Sequence, residues 1–379
     1  MRLVVDGEIF TRQTKGGISR IFIETLPRLC DADPGLTAVI LTDGALRQPL
    51  PRHAQILHRA IPRYEWWLRP GRLFRPAAMA LKQRARVRLA GPAAGAVWQA
   101  SYYSTPPAAW QGLFAVIFHD LMEERYAEMF VQPRHELVRR RKRACALQAD
   151  IVICNSPTTQ QDVCAFYGLP LAKTRLITLA PGSHFRVLAK EERIPTLAPP
   201  RPYLLYVGER SAYKNFALLL TAYAAWPGRA DLDLAVVGRP WDAAEWARVQ
   251  ALGLADQVRH YAFADDAALC QLYNAAAAFV YPSLFEGFGL PPLEAMACGC
   301  PVVASDIPTT RGVAGDHPFY FAAQDAADLR RALDAALAQG REQLRQDAAQ
   351  QHAASYSWQT TARQLSAIYH ELVGEPSTA

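Results

Sequence analysis

The segment YPSLFEGFGLPPLEAMACGCPVVAS, from Tyr281 to Ser305, constrains the fold of this chain more than any other. Its flanks, Ala278 to Tyr281 and Pro301 to Ala304, are apolar runs without alternation. That pattern is typical of strands buried on both faces of a parallel sheet. Between them, two glycines permit a tight turn, adjacent prolines suit a first helical turn, and a third glycine suits a helix end. The segment predicts a strand-loop-helix-strand unit.

Two carboxylates flank the predicted loop and helix start. Glu286 falls in the loop and Glu294 on the early turns of the helix. The loop follows a strand at its carboxyl end, where open α/β sheets bind ligands, and amide groups at a helix start attract anions. Sugar hydroxyls and a phosphate fit such a site. Taken singly, each residue could instead be an ordinary solvated glutamate.

The spacing Glu286-x7-Glu294 resembles the E-x7-E signature of the retaining glycosyltransferases of family 4, which have the GT-B fold. In that family the first glutamate contacts the donor sugar, the second contacts the ribose, and loop amides lie near the sugar. The resemblance implies the same roles here, with the loop residues Gly287, Phe288, Gly289 and Leu290. A dinucleotide-binding interpretation is weaker, because Pro292 stands where that fingerprint needs its third glycine.

A second matching segment, YLLYVGERSAYKNFALLL, begins at Tyr203. A buried strand, Tyr203 to Val207, ends at Gly208, and two cations, Arg210 and Lys214, follow before an apolar helix. A departing nucleoside diphosphate gains negative charge, which fixed cations can stabilise without a metal. Alone, the pair could be solvated surface cations. Beside the glutamate pair, the resemblance implies that both hold the donor diphosphate.

The amino-terminal half carries further matching segments. GGISRIFIETLPRL places Gly16 and Gly17 at a helix start and resembles the family's loop that approaches the donor phosphates and the acceptor; a plain turn is the alternative. VIFHDLM resembles the family's His-Asp element, in which the histidine lies beside the donor sugar. The residues assigned to catalysis are therefore His119, Glu286, Arg210 and Lys214.

At 379 residues the chain exceeds one ordinary core, and prolines between 195 and 202 mark a linker. The resemblance covers nearly the whole chain. It implies an α/β chain with the GT-B fold, in which two Rossmann-like domains face each other across a cleft and a C-terminal helix crosses back to the first domain. The predicted bounds are 1–190 for the acceptor-binding domain, 191–355 for the nucleotide-sugar-binding domain and 356–379 for the terminal helix.

Charge differs between the two halves. Residues 1–190 carry 27 Lys and Arg against 14 Asp and Glu, a net charge of +13, and residues 191–379 carry 14 against 21, a net charge of −7. Between Arg59 and Arg88, basic residues interleave with aromatic and leucine side chains. Such a stretch suits an anionic membrane surface or a lipid diphosphate acceptor, with a solvated helix face as the alternative. A second basic cluster, Arg139 to Arg143, is interpreted as a solvated helix face that can add to the same surface.

No stretch reaches the roughly 20 apolar residues of a transmembrane helix, and the start MRLVVDGEIF favours an early strand over a signal peptide. We therefore expect a cytoplasmic protein, peripheral to the inner face of the cytoplasmic membrane. Seven cysteines spread through apolar segments indicate reduced core residues. Cys298-x-Cys300 lacks the further ligands of a metal site, so neither a metal nor a cofactor is expected.

The family resemblance implies a retaining, metal-independent glycosyltransferase of bacterial surface polysaccharide synthesis, with a lipid-linked or polysaccharide glycan as acceptor. The resemblance of YKNF and FEGFGLPPLEAM to mannosyltransferase-like members favours GDP-mannose over a UDP-sugar as donor. One departure is Arg311-Gly312, where the family commonly has Pro-Glu. The competing hypotheses are a nucleotide-sugar epimerase of the same fold and a non-catalytic glycan-binding assembly subunit. A nucleic-acid-binding protein would leave the glutamate pair unexplained, so no nucleic acid partner is expected.

Overall fold

The computed structural model describes residues 1–14, 16–62, 75–262, 265–340 and 342–374. It divides into two compact units, the first formed by Met1–Leu179 with Trp358–Ala379 and the second by Ala180–Ser357. Lys15 and the central part of the basic aromatic stretch, residues 63–74, lie outside the described residues.

The first unit is built on a parallel sheet. Its seven described strands are β1 (Arg2–Val5), β2 (Thr37–Thr42), β3 (Ile56–Ala60), β4 (Ala96–Ala100), β5 (Leu113–Phe118), β6 (Ile151–Cys154) and β7 (Thr174–Leu176). They lie in the order β3-β2-β1-β4-β5-β6-β7 and all pairs are parallel.

The second unit is also built on a parallel sheet. Its six described strands are β8 (Tyr203–Val207), β9 (Asp233–Gly238), β10 (Val258–Ala262), β11 (Ala278–Tyr281), β12 (Val302–Ser305) and β13 (Phe319–Phe321). They lie in the order β10-β9-β8-β11-β12-β13, again with parallel pairs throughout.

Helices follow most of the strands. Those of the first unit are α1 (Glu8–Arg12), α2 (Gly17–Ala32), α3 (Arg75–Ala90), α4 (Met122–Arg125), α5 (Pro133–Gln148) and α6 (Pro157–Tyr167). Those of the second are α7 (Phe216–Ala224), α8 (Ala243–Ala251), α9 (Asp266–Ala275), α10 (Leu290–Ala297), α11 (Pro308–Ala314), α12 (Ala326–Gln339) and α13 (Gln343–Ala354). The last helix is α14 (Trp358–Val373). Within the described residues, none of these helices combines the length and apolarity needed to span a membrane.

The inner strands of each sheet are buried on both faces, which explains their apolar runs without alternation, whereas the edge strands β3, β7, β10 and β13 each have one buried residue. In the first unit Val4, Trp98 and Val116 belong to one fully buried cluster. In the second unit Leu204 and Val280 belong to another. All seven cysteines are free, and all but Cys164 are buried, as the sequence predicted.

The terminal helix α14 packs on the first unit. Tyr369 donates a hydrogen bond of 2.9 Å to the side chain of the buried Gln99, and the Thr361 hydroxyl donates one of 2.6 Å to the carbonyl oxygen of Thr178. Because the chain leaves the first unit after Leu179 and re-enters it at Trp358, α14 is the predicted helix that returns to the first domain.

In both units the strand order reverses at one point, between β1 and β4 in the first and between β8 and β11 in the second. This is the order of doubly wound nucleotide-binding sheets, whose ligands bind outside the carboxyl ends of the strands at the reversal. The order confirms two Rossmann-like domains. It also places the loops after β8 and β11 side by side.

Candidate functional site

The loop after β8 carries the two predicted cations. Gly208 has φ of 140°, a value that favours glycine, and a 3₁₀ turn at Ala212–Lys214 follows. Asn215 then takes φ of 55° as the cap of α7; asparagine adopts this left-handed conformation more readily than most residues. These turns hold Arg210 and Lys214 at the carboxyl edge of the second sheet.

Lys214 forms an ion pair with Glu286. The Nζ and Oε1 atoms are 2.6 Å apart, and the two side chains are only 19% and 12% exposed. Burial alone would lower the pKa of Lys214, but Glu286, with smaller contributions from Tyr213 and Glu209, outweighs burial, and the pKa is raised. The loops are also joined through the backbone, since the amide of Leu284 donates to the carbonyl oxygen of Tyr213 at 2.8 Å. The structure thus brings the first glutamate and the second cation into direct contact.

Glu286 is held from a second side by α11. The Thr309 hydroxyl donates to the carbonyl oxygen of Glu286 at 3.0 Å. The Tyr281 ring also lies near the ion pair, with its centroid 5.8 Å from Nζ of Lys214. Burial and, after it, the carboxylate of Glu286 raise the pKa of Tyr281 well above its usual value, so this phenol stays neutral.

Arg210 is buried and has a different partner. Its side chain is 1% exposed, and its Nε and Nη2 atoms lie 3.2 and 3.0 Å from the carboxylate of Glu245. Nη2 also donates to the carbonyl oxygens of Arg239 and Pro240, and the guanidinium lies 4.2 Å from the centroid of Trp241. The remaining nitrogen, Nη1, is buried and has no hydrogen-bond partner among the described residues. The arginine is therefore fixed, with one charged donor left over.

Nη1 of Arg210 lies beside Gly238. A Cβ atom at Gly238 would lie 3.2 Å from Nη1 of Arg210 and 2.4 Å from the carbonyl oxygen of Gly208. Since real Cβ atoms do not approach a backbone oxygen so closely, any side chain at position 238 would displace the loop after β8. Glycine at this strand end keeps the guanidinium and the loop in place.

Glu245 is a residue of the site that the sequence did not predict. It occupies the third position of α8 in a capping box, in which its amide donates to Asp242 at 2.8 Å and its carboxylate accepts from the Asp242 amide at 3.0 Å. The sequence Asp242-Ala-Ala-Glu245 is the signal of such a box. The same carboxylate accepts from Arg239 at 2.7 Å. The capping box was thus detectable in the sequence, but the pairing of Glu245 with Arg210 was not.

The predicted helix start is present in α10, but it has fewer free backbone N–H donors than the start of an ordinary helix. Gly289 caps α10 with φ of 97°. Pro291 and Pro292 have no amide hydrogen, so among the first four helical residues only Leu290 and Leu293 can donate. An anion here would meet few amides, which places more of its stabilisation on the cations.

The side chain of Phe288, in the predicted donor-binding loop, packs into the second unit. Its ring is buried and packs edge-on against Tyr356, with centroids 6.1 Å apart. Of this residue only the backbone is available for the predicted contact with a ligand.

Glu294 is buried, only 7% exposed, so the alternative of a solvated helix glutamate is wrong. The Tyr273 hydroxyl lies 3.5 Å from its Oε2 atom. Burial and then the charge of Glu294 raise the pKa of Tyr273 well above its usual value, which keeps this phenol a donor. The rings of Tyr273, Phe279 and Tyr281 follow one another at 5.3 and 5.9 Å and form an aromatic wall along β11.

In the first unit, His119 follows β5 and is buried. Its amide donates to the Tyr103 hydroxyl at 3.3 Å, and its carbonyl oxygen accepts from the side chain of Asn155 at 3.0 Å. Burial lowers the pKa of His119 to about 4, against the opposing charge of Asp120. The imidazole is therefore neutral at neutral pH.

The loop that begins at His119 is held by a buried lysine from α5. Nζ of Lys142 lies 3.0 Å from the carbonyl oxygen of Asp120, 3.1 Å from its carboxylate and 2.6 Å from that of Glu123. Burial alone would lower the pKa of Lys142, but these groups, Asp120 first, raise it well above its usual value. The interpretation of Arg139 to Arg143 as a solvated face is therefore wrong for Lys142.

Gly16 and Gly17 lie where the sequence placed them, at the start of α2, and both are exposed. The Ser19 hydroxyl donates to the carbonyl oxygen of Gly16 at 3.0 Å. These glycines and His119 belong to the first unit, and the other predicted site residues belong to the second. Among the described residues, no group of three or more His, Cys, Asp or Glu side chains is placed to hold a metal ion.

Family models match each unit separately. The model for glycosyl transferases group 1 matches residues 189–353, inside the second unit, and the model for Glycosyltransferase Family 4 matches residues 15–179, inside the first. Each unit therefore matches a glycosyltransferase family model over most of its length.

Curated relatives of this GT-B chain resemble part of it. O-antigen chain mannosyltransferase B of Escherichia coli is 31% identical over 207 residues, which is 52% of this chain and 54% of that protein. D-inositol 3-phosphate glycosyltransferase of Geodermatophilus obscurus is 31% identical over 253 residues, 61% of this chain and 55% of that protein. The chain thus spans about half the length of these two relatives.

Solved structures match the GT-B fold over the whole chain. Sucrose-phosphate synthase from Thermosynechococcus elongatus has a TM-score of 0.76 at 22% identity, covering 98% of this chain and 99% of that one. The Anabaena protein HepE, solved in complex with UDP-glucose, has a TM-score of 0.72 at 16% identity, covering 98% and 99%. These likenesses confirm the predicted fold.

The departure from the family pattern lies on the surface of this GT-B chain. Arg311 donates two hydrogen bonds, of 2.6 and 2.8 Å, to Asp306 and one of 3.1 Å to Asp316, and its guanidinium lies 4.1 Å from the centroid of Tyr320. A Cβ atom at Gly312 would meet nothing within 4 Å. The substitution therefore leaves the packing of α11 intact and removes a carboxylate from an open position.

Proposed function

We propose that this protein is a retaining, metal-independent glycosyltransferase that moves a sugar from a nucleotide diphosphate sugar to a glycan acceptor. The observation that carries this proposal is the contact of Lys214 with Glu286, in a loop that also presents the buried Arg210 at the reversal point of the second sheet. Cation and carboxylate meet where open α/β sheets bind their ligands.

The two cations bind the donor diphosphate in this proposal. Nη1 of Arg210 is a charged donor already fixed by Glu245, so it needs no reorganisation when charge develops on the departing phosphate. Lys214 exchanges Glu286 for a phosphate oxygen when the donor binds. The carboxylate of Glu286 is then free to accept hydrogen bonds from sugar hydroxyls.

The remaining roles follow the family resemblance. Glu294 accepts hydrogen bonds from the ribose, and Gly16 and Gly17 approach the donor phosphates and the acceptor. His119 positions the donor sugar together with Glu286. A neutral imidazole suits this role, because it adds no positive charge beside the oxocarbenium-like state of glycosyl transfer. The loop from Gly287 to Leu290 contributes backbone groups.

Mannose is the favoured sugar, with GDP-mannose as donor and a UDP-sugar as the alternative. The similarity to O-antigen chain mannosyltransferase B supports mannose, and the UDP-glucose complex of HepE supports a nucleotide-sugar donor in general. The relative's name also supports a lipid-linked or polysaccharide acceptor of bacterial surface polysaccharide synthesis. The net charge of +13 in residues 1–190 supports a place at the inner face of the cytoplasmic membrane.

Thermal shifts test this proposal. GDP or UDP should stabilise the protein without added metal, because a ligand that binds only the folded state raises its stability, whereas duplex DNA should not. Glu294→Ala should weaken this effect, Glu286→Ala should preserve it while abolishing transfer, and the exposed Glu342→Ala serves as the matched control.

Product analysis with radiolabelled donors and membrane extract completes the test. A labelled glycan supports the proposal, and an epimerised nucleotide sugar would favour the epimerase. Equal affinity of the Glu294→Ala variant and the wild type for free GDP and UDP would refute the ribose role.

A further inference from the structure

Two cysteine thiols of the second unit lie in contact. The Sγ atoms of Cys270, on α9, and Cys298, at the end of α10, are 3.8 Å apart. Both residues are buried, each only 3% exposed. The S–S bond of a disulfide is about 2.0 Å long, so the two sulfurs need to approach by about 1.8 Å to be joined. None of the roles proposed for the donor site uses either thiol.

The surroundings of this pair favour a thiolate. Nδ2 of Asn274 donates to Sγ of Cys270 at 3.6 Å. Hydrogen bonds, that from the Cys298 thiol first, and the charge of Arg186 lower the pKa of Cys270, although burial opposes them. Cys298 keeps its proton, because its hydrogen bond to Cys270, and burial after it, raise its pKa. At Cys145 burial has no such opposition and raises the pKa to about 12. Since the thiolate is the reactive form of cysteine, the pair differs from an inert buried thiol.

A cavity gives small molecules access to the pair. It lies at the opposite end of α10 from the predicted donor-binding loop, has a volume of about 220 Å³, and is lined in part by Cys298, Gly299 and Asn274. Arg193 and Gln343, which also line it, are exposed, so the cavity is reached from solvent. Since a cavity of only about 15 Å³ already holds a water molecule, hydrogen peroxide has room beside Cys298.

We propose that Cys270 and Cys298 are a peroxide-sensitive modification site that forms a reversible disulfide. The sulfur of Cys298, which lines the cavity, attacks one oxygen of hydrogen peroxide while its proton passes to the sulfur of Cys270. An S–O bond forms, the O–O bond breaks and hydroxide leaves. Cys270 then attacks the sulfenic sulfur of Cys298, the S–S bond forms, and the S–O bond breaks as the thiol proton and the hydroxyl group leave as water. Two electrons pass from the sulfurs to the peroxide oxygens.

The disulfide should weaken nucleotide binding, because it joins the two helices that hold Glu294. The amide of Cys298 donates to the carbonyl oxygen of Glu294 at 3.2 Å. Cys270 lies three residues before Tyr273 on α9, whose hydroxyl is 3.5 Å from Oε2 of Glu294. Drawing the sulfurs together therefore shifts this carboxylate against its neighbours. This consequence rests on the proposed function, in which Glu294 binds the ribose.

Peptide mass spectrometry of the full chain tests for the bond. The reduced protein is treated with hydrogen peroxide, its remaining thiols are blocked, and it is cut at glutamates, because Glu286 and Glu294 separate the two cysteines. The bond should join two peptides at about 2 Da below their summed mass, and dithiothreitol should release them. Cys298→Ser should abolish the cross-link. The matched control, Cys300→Ser, is buried two positions further on and should form the cross-link as the wild type does.

Nucleotide binding tests the consequence. The peroxide-treated wild type should bind GDP or UDP at least about fivefold more weakly than the reduced protein, as for sites with appreciable coupling, and dithiothreitol should restore the affinity. The Cys298→Ser variant should keep its affinity after peroxide. Because the wild type alone answers both questions, they are decided even if a variant does not fold.

Two results would overturn the inference. One is a treated wild type that retains all seven free thiols, and the other is a cross-link that uses Cys300 in place of Cys298. A bond between Cys270 and Cys298 with unchanged nucleotide affinity would refute the coupling to Glu294. Failure of the reduced protein to bind either GDP or UDP would refute the proposed function and leave the disulfide site standing.

Discussion

Replacing Arg210 by alanine should cost this protein both stability and turnover. The guanidinium donates two hydrogen bonds to Glu245 and one each to the carbonyl oxygens of Arg239 and Pro240. Hydrogen bonds to charged groups contribute roughly 1.5–3 kcal/mol each, and removing one partner of a buried ion pair costs roughly 3–5 kcal/mol. Because Glu245 keeps its contact with Arg239, we expect a loss of unfolding free energy at the lower end of this range, about 3 kcal/mol.

The loss of turnover has a separate cause. If Nη1 of Arg210 meets the departing diphosphate, its removal should lower kcat by a factor of order 10² or more, as for other contacts to charge that develops in a transition state. Lys214→Ala should lower turnover similarly. Its stability loss should be smaller, because both members of the Lys214 and Glu286 pair keep some contact with solvent.

Urea unfolding and initial rates measure the two losses independently. Rates are compared at a temperature where each variant is fully folded, and Arg248→Ala, an exposed arginine of the same unit, is the control for both assays. Near-normal turnover of folded Arg210→Ala would refute the phosphate role. An unfolding free energy equal to that of the wild type would refute the reasoning about the buried pair.

Three other substitutions test the local packing and electrostatics. The free energy of unfolding should fall as pH decreases from about 6.5 towards 4, because the imidazole of His119 binds a proton in the unfolded state but not when it is buried, where its pKa is lowered to about 4. In urea unfolding, the His119→Gln variant should lack this dependence on pH. An unchanged dependence would contradict the burial of His119. Gly312→Ala should raise the unfolding free energy by roughly 0.5–1 kcal/mol, because Gly312 is helical and a Cβ atom meets nothing there. Gly238→Ala should instead lower the unfolding free energy, because its Cβ atom would clash with the carbonyl oxygen of Gly208. An unchanged unfolding free energy would refute the requirement for glycine at this position.

The fold was accessible from the sequence because its signals are local. Apolar runs without alternation gave two strands of the second sheet with the bounds that the structure has, Tyr203–Val207 and Ala278–Tyr281. Glycine and proline marked the turn and helix start at Gly289 for steric reasons that hold within a few residues. The placement of Glu286 and Lys214 in strand-end loops followed from those local signals.

The partners of the charged side chains were not accessible, because they come from other elements. Arg210 pairs with a glutamate 35 residues away, and Lys214 with one 72 residues away. Lys142 shows the same limit, since a basic run in a helix gives no sign of which member faces the core. Only the order of the strands decides which strand-end loops become neighbours.

That order explains why the two cations of one loop behave differently. β8 lies between β9 and β11, so the loop after β8 meets the segment after β9 on one side and the loop after β11 on the other. Arg210 takes its partner, Glu245, from the β9 side, where a capping box and Gly238 fix it. Lys214 takes its partner from the β11 side, where Glu286 lies in a glycine-rich loop. If the proposed function holds, a donor diphosphate would displace only the ion pair of Lys214 with Glu286, and Arg210 would keep its pairing with Glu245.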